Sequence, residues 1–343
     1  QALPSEQEEP LNKEQFAYLP GAPFTPDKVK IKRDGMMLGV AIFLIIPFLL
    51  EFVDNRVKSP WDVEVFIGRD LIAGIPKISE VEETQRPLIV GNDLDDGLTE
   101  SFRSMFSRIQ MNSLNDYPKT ILVTSAIPSE GKSLISANLA YSCANHGKKT
   151  VLIDFDLRRP GIHKFCNIAN EKGLLSLINA EQTDTQKLQE LAQETVTQIH
   201  PNLFVLPSGG RTRAATELLE SNGFDRIHKV LRSFADVIII DSPPLGLFPD
   251  SLAMARKVEE VLFVTRYGKV SRKIVKSLLE SLDETGAEIL GVVLDDLPQK
   301  KAPGYYYYGY FGYGYFRNKY YDKYYGREKD EENAKDSRSK EVN

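Results

Sequence analysis

Ser125-Ala-Ile-Pro-Ser-Glu-Gly-Lys-Ser133 follows the β-rich run Thr120-Ile-Leu-Val-Thr-Ser125 and opens the helix-like run Ser133-Leu-Ile-Ser-Ala-Asn-Leu-Ala-Tyr-Ser-Cys-Ala-Asn145. A strand feeding a Gly-Lys-Ser turn that starts a helix is the setting of a phosphate-binding loop. Gly131 lets the backbone approach an anion closely. The free amides at the helix start point at that anion, helped by the helix dipole. Lys132 adds a point charge beside the β and γ phosphates, and Ser133 offers a hydroxyl to Mg2+. Ser129, Glu130, Gly131, Lys132, Ser133 and Leu134 are the candidate nucleotide-binding residues, with ATP and Mg2+ the candidate cofactors. Ala126 stands where such a loop usually has its first glycine. Taken alone, the segment also reads as an ordinary strand–helix turn.

Two acidic strand ends argue against that second reading. Val151-Leu-Ile-Asp-Phe-Asp-Leu-Arg-Arg-Pro160 is an apolar strand ending in Asp154 and Asp156, and Ile238-Ile-Ile-Asp-Ser-Pro-Pro244 is another, ending in Asp241. Two residues apart on an extended chain, Asp154 and Asp156 face one side. Carboxylates at the C-terminal ends of parallel strands sit where doubly wound folds bind ligands, and a hard cation among phosphate oxygens needs them. Ser133, Asp156 and Asp241 are the candidate metal ligands. The alternative is that each aspartate caps the next helix. From 98 to 297 short runs (TILVTS, TVLIDF, NLFVLP, DVIIID, EVLFVT, EILGVVL) alternate with helical stretches. That alternation predicts an α/β P-loop NTPase fold, a mostly parallel sheet flanked by helices.

The rest of the 343-residue chain is organised around this domain. Its net charge of -5 gives no reason to expect nucleic-acid binding. Cys143 and Cys166 have no metal-ligand spacing and read as reduced thiols, and the scarce histidines argue against zinc. Residues 1–35 are polar and proline-rich, with no signal-peptide layout. A chain starting at Gln reads as a fragment or processed product. Residues 36–53 carry the apolar run MMLGVAIFLIIPFLL and read as a transmembrane helix, somewhat short, with a buried core helix as the alternative. Lys28, Lys30, Lys32 and Arg33 before the run would place its N-terminal side in the cytoplasm, whereas ATP chemistry requires the C-terminal side there. The chemistry decides: 1–35 is expected to be periplasmic and the rest cytoplasmic. Residues 54–97 read as a linker, 98–303 as the nucleotide-binding domain, and 304–343 as a low-complexity tail.

The paired motifs DFDLRRP and IIIDSPP, with SAIPSEGKS, resemble those of the bacterial tyrosine kinases fused to polysaccharide co-polymerases, the chain-length regulators of exopolysaccharide and capsule export. Asn55–Ile78 is similar to that family's cytoplasmic segment after its second transmembrane helix; the first helix and periplasmic domain have no counterpart here. The resemblance implies an ATP-dependent protein-tyrosine autokinase in the bacterial inner membrane. Its ring-like homo-oligomer would phosphorylate itself between subunits, and its partners would be the polysaccharide polymerisation and export machinery and a phosphotyrosine phosphatase. Lys132, Asp154 and Asp156 would be catalytic, with Asp154 the base and Asp241 supporting the metal. The tail tyrosines Tyr305, Tyr306, Tyr307, Tyr308, Tyr310, Tyr313, Tyr315, Tyr320, Tyr321, Tyr324 and Tyr325 would be the acceptors. A Tyr/Gly adhesive segment is the bland alternative for that tail. Arg317, Lys319, Lys323 and Arg327 would dock it, unphosphorylated, on an acidic active-site rim, and accumulated phosphate charge would then drive it off.

The chain departs from the family pattern at three places. Glu100 and Arg103 match the ring-interface motif, but Phe106 replaces its second arginine, which predicts a more hydrophobic contact. Asp295 replaces the expected base-contacting Asn. After Leu-Pro-Ser-Gly-Gly the chain continues Arg211-Thr-Arg-Ala-Ala-Thr-Glu-Leu-Leu219, without the Asn-Pro that usually precedes the Glu-Leu-Leu run. Two other functions compete. A nucleotide-switch ATPase of the partitioning type would carry a signature lysine where this chain has Ile127, and no tyrosine tail. A non-catalytic membrane scaffold would not need Lys132, Ser133, Asp154, Asp156 and Asp241 together.

Overall fold

The computed structural model describes residues 27–298, apart from 80, 83, 84, 114–116, 181–183, 221 and 222. The tyrosine tail and the proline-rich start lie outside the described residues. The chain divides into two compact units, Gln1–Asn55 and Arg56–Asn343.

The first unit contributes one helix, α1 (Lys28–Val53). Asp27 starts it by accepting from the amides of Val29 and Lys30 at 3.0 and 3.1 Å. Its apolar side chains are uncovered, Met36, Phe43 and Phe48 each being about three-quarters exposed. Among the described residues no helix is long and apolar enough to cross a membrane. The apolar part of α1 with described side chains, 36–49, makes only ~21 Å of helix against the roughly 30 Å of a bilayer core.

The second unit is built on eight strands: β1 (Leu71–Pro76), β2 (Thr120–Ser125), β3 (Thr150–Asp154), β4 (Thr197–His200), β5 (Leu203–Leu206), β6 (Val237–Asp241), β7 (Glu260–Arg266) and β8 (Glu288–Leu297). Their order is β1-β8-β7-β2-β6-β3-β5-β4, and every pairing is parallel except β4–β5. The central strands β2, β3 and β6 are buried along their whole length. Alternate residues feed opposite faces: Leu122, Val151, Ile153, Ile238 and Ile240 join one apolar layer, and Ile121, Val123, Leu152 and Ile239 join the other. This two-sided burial is why these strands read as continuous apolar runs.

Of residues 54–97, read in the sequence as a linker, those from Arg56 onward belong to the second unit. They supply β1, which pairs with β8 through Leu71↔Val292 and Gly74↔Leu294, and whose Leu71, Ile72 and Ile75 are buried. Gly74 and Pro76 weaken its local strand signal, and pairing with β8 overrides that.

The helix before the phosphate loop is α2 (Asp96–Asn112), capped by Asp95, which accepts from the Leu98 amide at 2.8 Å. Its inward face carries Phe102, Met105, Phe106 and Ile109. Phe106 is only 3 % exposed and stacks on Tyr117 and His146, with ring centroids 4.7 and 4.0 Å away. The expectation that it lends apolar character to a subunit contact is therefore corrected, because this side chain belongs to the core. Glu100 and Arg103 lie on the more exposed side of α2 and pair with each other at 2.8 Å.

Candidate active site

The sheet order places the C-terminal ends of β2, β6 and β3 side by side, so the loop after β2 meets both acidic strand ends. From that loop α3 (Lys132–Asn145) departs, with Gly131 as its N-cap at φ 93°. A side chain at 131 would be strained by that backbone, and its Cβ would fall 2.5 Å from Asp295 Oδ2. Ser129 also has a positive φ, 63°. Ser129, Gly131, Lys132, Ser133 and Leu134 line one side of a cleft of about 430 Å³, and Ile78, Arg86, Phe165, Arg266, Asp295 and Asp296 complete it.

Glu130 is placed differently from its neighbours. It is fully buried, and its carboxylate accepts from the amides of Ile127 (2.8 Å) and Arg266 (3.1 Å) and from the Thr265 hydroxyl (3.1 Å). It ties the loop to the end of β7 and does not line the cleft. Burial pushes its proton affinity up, and these donors pull it back.

Ser133 donates to Asp241 Oδ2 at 2.6 Å, and Ser136, one turn on, reaches Oδ1 at 3.3 Å. Asp154 stands beside Asp241 in the β3–β6 register. Its Oδ2 accepts from the amides of Gly161 and Ile162, both at 3.0 Å, at the start of α4 (Ile162–Phe165). The helix-capping alternative is thus realised at one oxygen. Its other oxygen, Oδ1, is buried with no partner. Burial, and then repulsion from Asp241, raises the Asp154 pKa well above the usual carboxylate range. Asp156 lies beyond the strand end, half-buried, accepting from the Arg159 amide at 2.9 Å. The two carboxylates therefore do not present equal faces to a ligand: one is sealed and basic, the other open.

The Ser133 hydroxyl, Asp241 and the more open Asp156 are oxygen donors suited to a hard cation, and the partnerless Asp154 Oδ1 lies on the strand beside Asp241. Among the described residues no group of three or more His, Cys, Asp or Glu could hold a metal by itself. A cation here would share its shell with phosphate oxygens.

Asp241 gives a pH prediction. Chiefly through burial, its pKa is pushed up to about 6 against the pull of Lys132 and the Ser133 hydroxyl. A carboxyl raised above its ordinary value of ~4 binds a proton more tightly in the folded chain, so its stabilising share is present at low pH and lost as pH rises through the folded pKa. Without nucleotide, the melting temperature of Asp241→Asn should therefore gain on wild type as pH rises from about 4 to about 7. A gap that stays constant in that window contradicts the assignment.

Arg266, absent from the sequence-predicted site, holds Asp296 through Nε (2.8 Å) and Nη2 (2.7 Å) and reaches the Ser129 carbonyl at 3.3 Å. Nothing in its local sequence, the end of an apolar strand, signals that role. Asp295 lies against Gly131 at the cleft, its pKa pushed up to about 6 by burial.

A family model described as ParA: NUBPL iron-transfer P-loop NTPase matches residues 117–297. The putative tyrosine-protein kinase CapB of Staphylococcus aureus is 32% identical over 231 residues, covering 67% of this chain and 98% of CapB. The chain is a P-loop NTPase of the bacterial tyrosine-kinase family. The tyrosine-protein kinase Ptk of Acinetobacter johnsonii is 29% identical over 295 residues, but the chain spans only 39% of that longer relative. Among solved structures, the chimerical protein CapA2B2 superposes with a TM-score of 0.62 at 32% identity, covering 70% of this chain and all of that one. The kinase domain of the Escherichia coli tyrosine kinase ETK also superposes at 0.62 over 73% of this chain and 98% of its own length; at 24% identity it speaks for the fold alone. Membership in a nucleotide-hydrolysing P-loop family fits the loop and cleft described above.

Proposed function

We propose that this member of the bacterial tyrosine-kinase family is an ATP-dependent autokinase. It would transfer the γ-phosphoryl group to its own tail tyrosines and thereby regulate exopolysaccharide or capsule polymerisation and export. The observation that carries the reading is the join of Lys132 and the Ser133–Asp241 pair with Asp154 and Asp156, in a chain that continues into eleven closely spaced tyrosines. The named kinase relatives support it.

In this reading Ser129 to Leu134, other than the inward-turned Glu130, cradle the phosphates, and Lys132 balances the charge that develops on the leaving β-phosphate side. Ser133, Asp156 and Asp241 would hold Mg2+, which when bound neutralises the phosphate oxygens. The tyrosine oxygen forms a bond to the γ-phosphorus as the bond to the ADP oxygen breaks. The phenol proton, with a free pKa of ~10, needs an acceptor. Asp154, whose proton affinity is raised by burial and by Asp241, would be that acceptor, and the more open Asp156 would position the incoming hydroxyl.

The apolar, uncovered α1, continued to Val53, is proposed to cross the bacterial inner membrane with the kinase unit on the cytoplasmic side. Retention of the full chain in carbonate-washed membranes is the expected result, and full recovery in the soluble fraction contradicts it.

Transfer is proposed to run between subunits of a ring-like homo-oligomer, with Glu100 and Arg103 at the contact and a phosphotyrosine phosphatase resetting the tail. The last strand ends at Leu297 and the first tail tyrosine is Tyr305, a short tether for folding back on the same site. The test mixes a Lys132→Met chain with one whose eleven tail tyrosines are Phe. Each should be inert alone, and the mixture should label the Lys132→Met tail. A silent mixture beside an active wild type places transfer within one chain.

A further inference from the structure

Asp156 is followed by Leu157, whose carbonyl accepts from the Thr212 amide at 2.9 Å. This bond fastens the loop Arg211-Thr-Arg213 to the acidic loop of the site. On the other side Asp154 holds the start of α4, which carries Lys164. Arg211 is close enough to α4 for its charge to lower the pKa of His163, after burial and Lys164. Arg159, Lys164, Arg211 and Arg213 are all exposed, and among the described residues none of them has a carboxylate partner. Arg158 behaves otherwise. It pairs with the buried Asp250 at 2.7 Å and lies over the Phe248 ring at 4.4 Å, so it is already committed to the fold. Four cations stand there against two carboxylates, Asp156 and the exposed Glu217 whose charge Arg158 feels, so the rim is net basic, against the acidic rim expected from the sequence.

A basic rim cannot select the tail through Arg317, Lys319, Lys323 and Arg327. It complements instead the stretch Glu328-Lys-Asp-Glu-Glu332, which sets four carboxylates against one lysine. That stretch begins three residues after Tyr325. Three extended residues reach roughly 10 Å, which fits a tyrosine at the site with its acidic flank on the rim.

We propose that Arg159, Lys164, Arg211 and Arg213 form a docking surface for the acidic segment 328–332 of the tail, and that this contact presents Tyr324 and Tyr325 to the active site first. The inference rests on the autokinase reading. Opposite charges at an exposed surface speed encounter and fix register more than they add affinity, and salt screens them. The paired Arg211→Glu and Arg213→Glu substitutions fall on exposed side chains, so they leave the fold intact.

The test follows initial tail phosphorylation in the full chain at low salt, with nucleotide binding as the control. Arg211→Glu/Arg213→Glu should slow labelling of Tyr324 and Tyr325 about tenfold with nucleotide binding unchanged, and Glu331→Lys/Glu332→Lys should do the same. Joining all four substitutions should restore the rate to within about threefold of wild type. The wild-type rate should fall as salt rises from about 50 to about 300 mM, and the Arg211/Arg213 variant should be nearly flat. An active wild type with unaffected variants overturns the docking surface alone, and so does a four-fold variant that loses the two effects additively. A wild type that never labels its tail overturns the autokinase reading, and this inference with it.

Discussion

Lys132→Met is expected to lower self-phosphorylation by about two to three orders of magnitude while leaving the fold intact. That is the usual cost of removing one preorganised charge from a transition state. Lys132 opens α3 and is only 7 % exposed, with its charge felt by both Asp241 and Glu130. Met keeps the stem and its packing, is a good helix former, and removes only the ammonium. Circular dichroism and thermal melting should match wild type, so a loss of phosphotyrosine reads on chemistry alone. Undiminished labelling in this variant would contradict the placement of the phosphates on this loop.

Glu130→Ala is expected to act through stability. The substitution leaves the Ile127 and Arg266 amides and the Thr265 hydroxyl without the acceptor they share. Each buried donor left unpaired costs about 1–3 kcal/mol, and water entering the gap recovers part of that, so about 3 kcal/mol is expected in all. For a domain of this size that lowers the melting temperature by roughly 6–12 °C. The fall should appear without nucleotide, because the bonds hold the loop to β7 whether or not a ligand is bound. A Glu130→Ala chain with wild-type melting and a selective loss of ATP affinity would instead make this residue a ligand contact.

The central strands were legible because they are buried on both faces: TILVTS, TVLID and VIIID carry little besides apolar and β-branched residues. The phosphate loop was legible because its backbone needs a glycine at φ 93° and its chemistry needs Lys and Ser in that order. β4 was not, since its edge position leaves Thr197 and Gln198 exposed and polar, without apolar alternation. Phe106 was not legible, because its place in the helix motif says nothing of Tyr117 and His146, whose stacking on that ring is a tertiary fact. Glu130 sits amid true cleft-lining residues, and only the fold shows that its neighbour β7 turns it inward. The basic rim required Arg211 and Arg213 to be brought beside a loop some fifty residues earlier, through a single backbone bond at Leu157.

The destination of the γ-phosphoryl group separates a kinase from an ATPase. Incubation of the full chain with ATP labelled at the γ position, followed by mapping of the labelled peptides, answers this directly. Label is expected on tyrosines between Tyr305 and Tyr325 with matching release of ADP. Release of ADP and free phosphate with no label on any tyrosine would contradict it and leave a nucleotide-switch ATPase in its place.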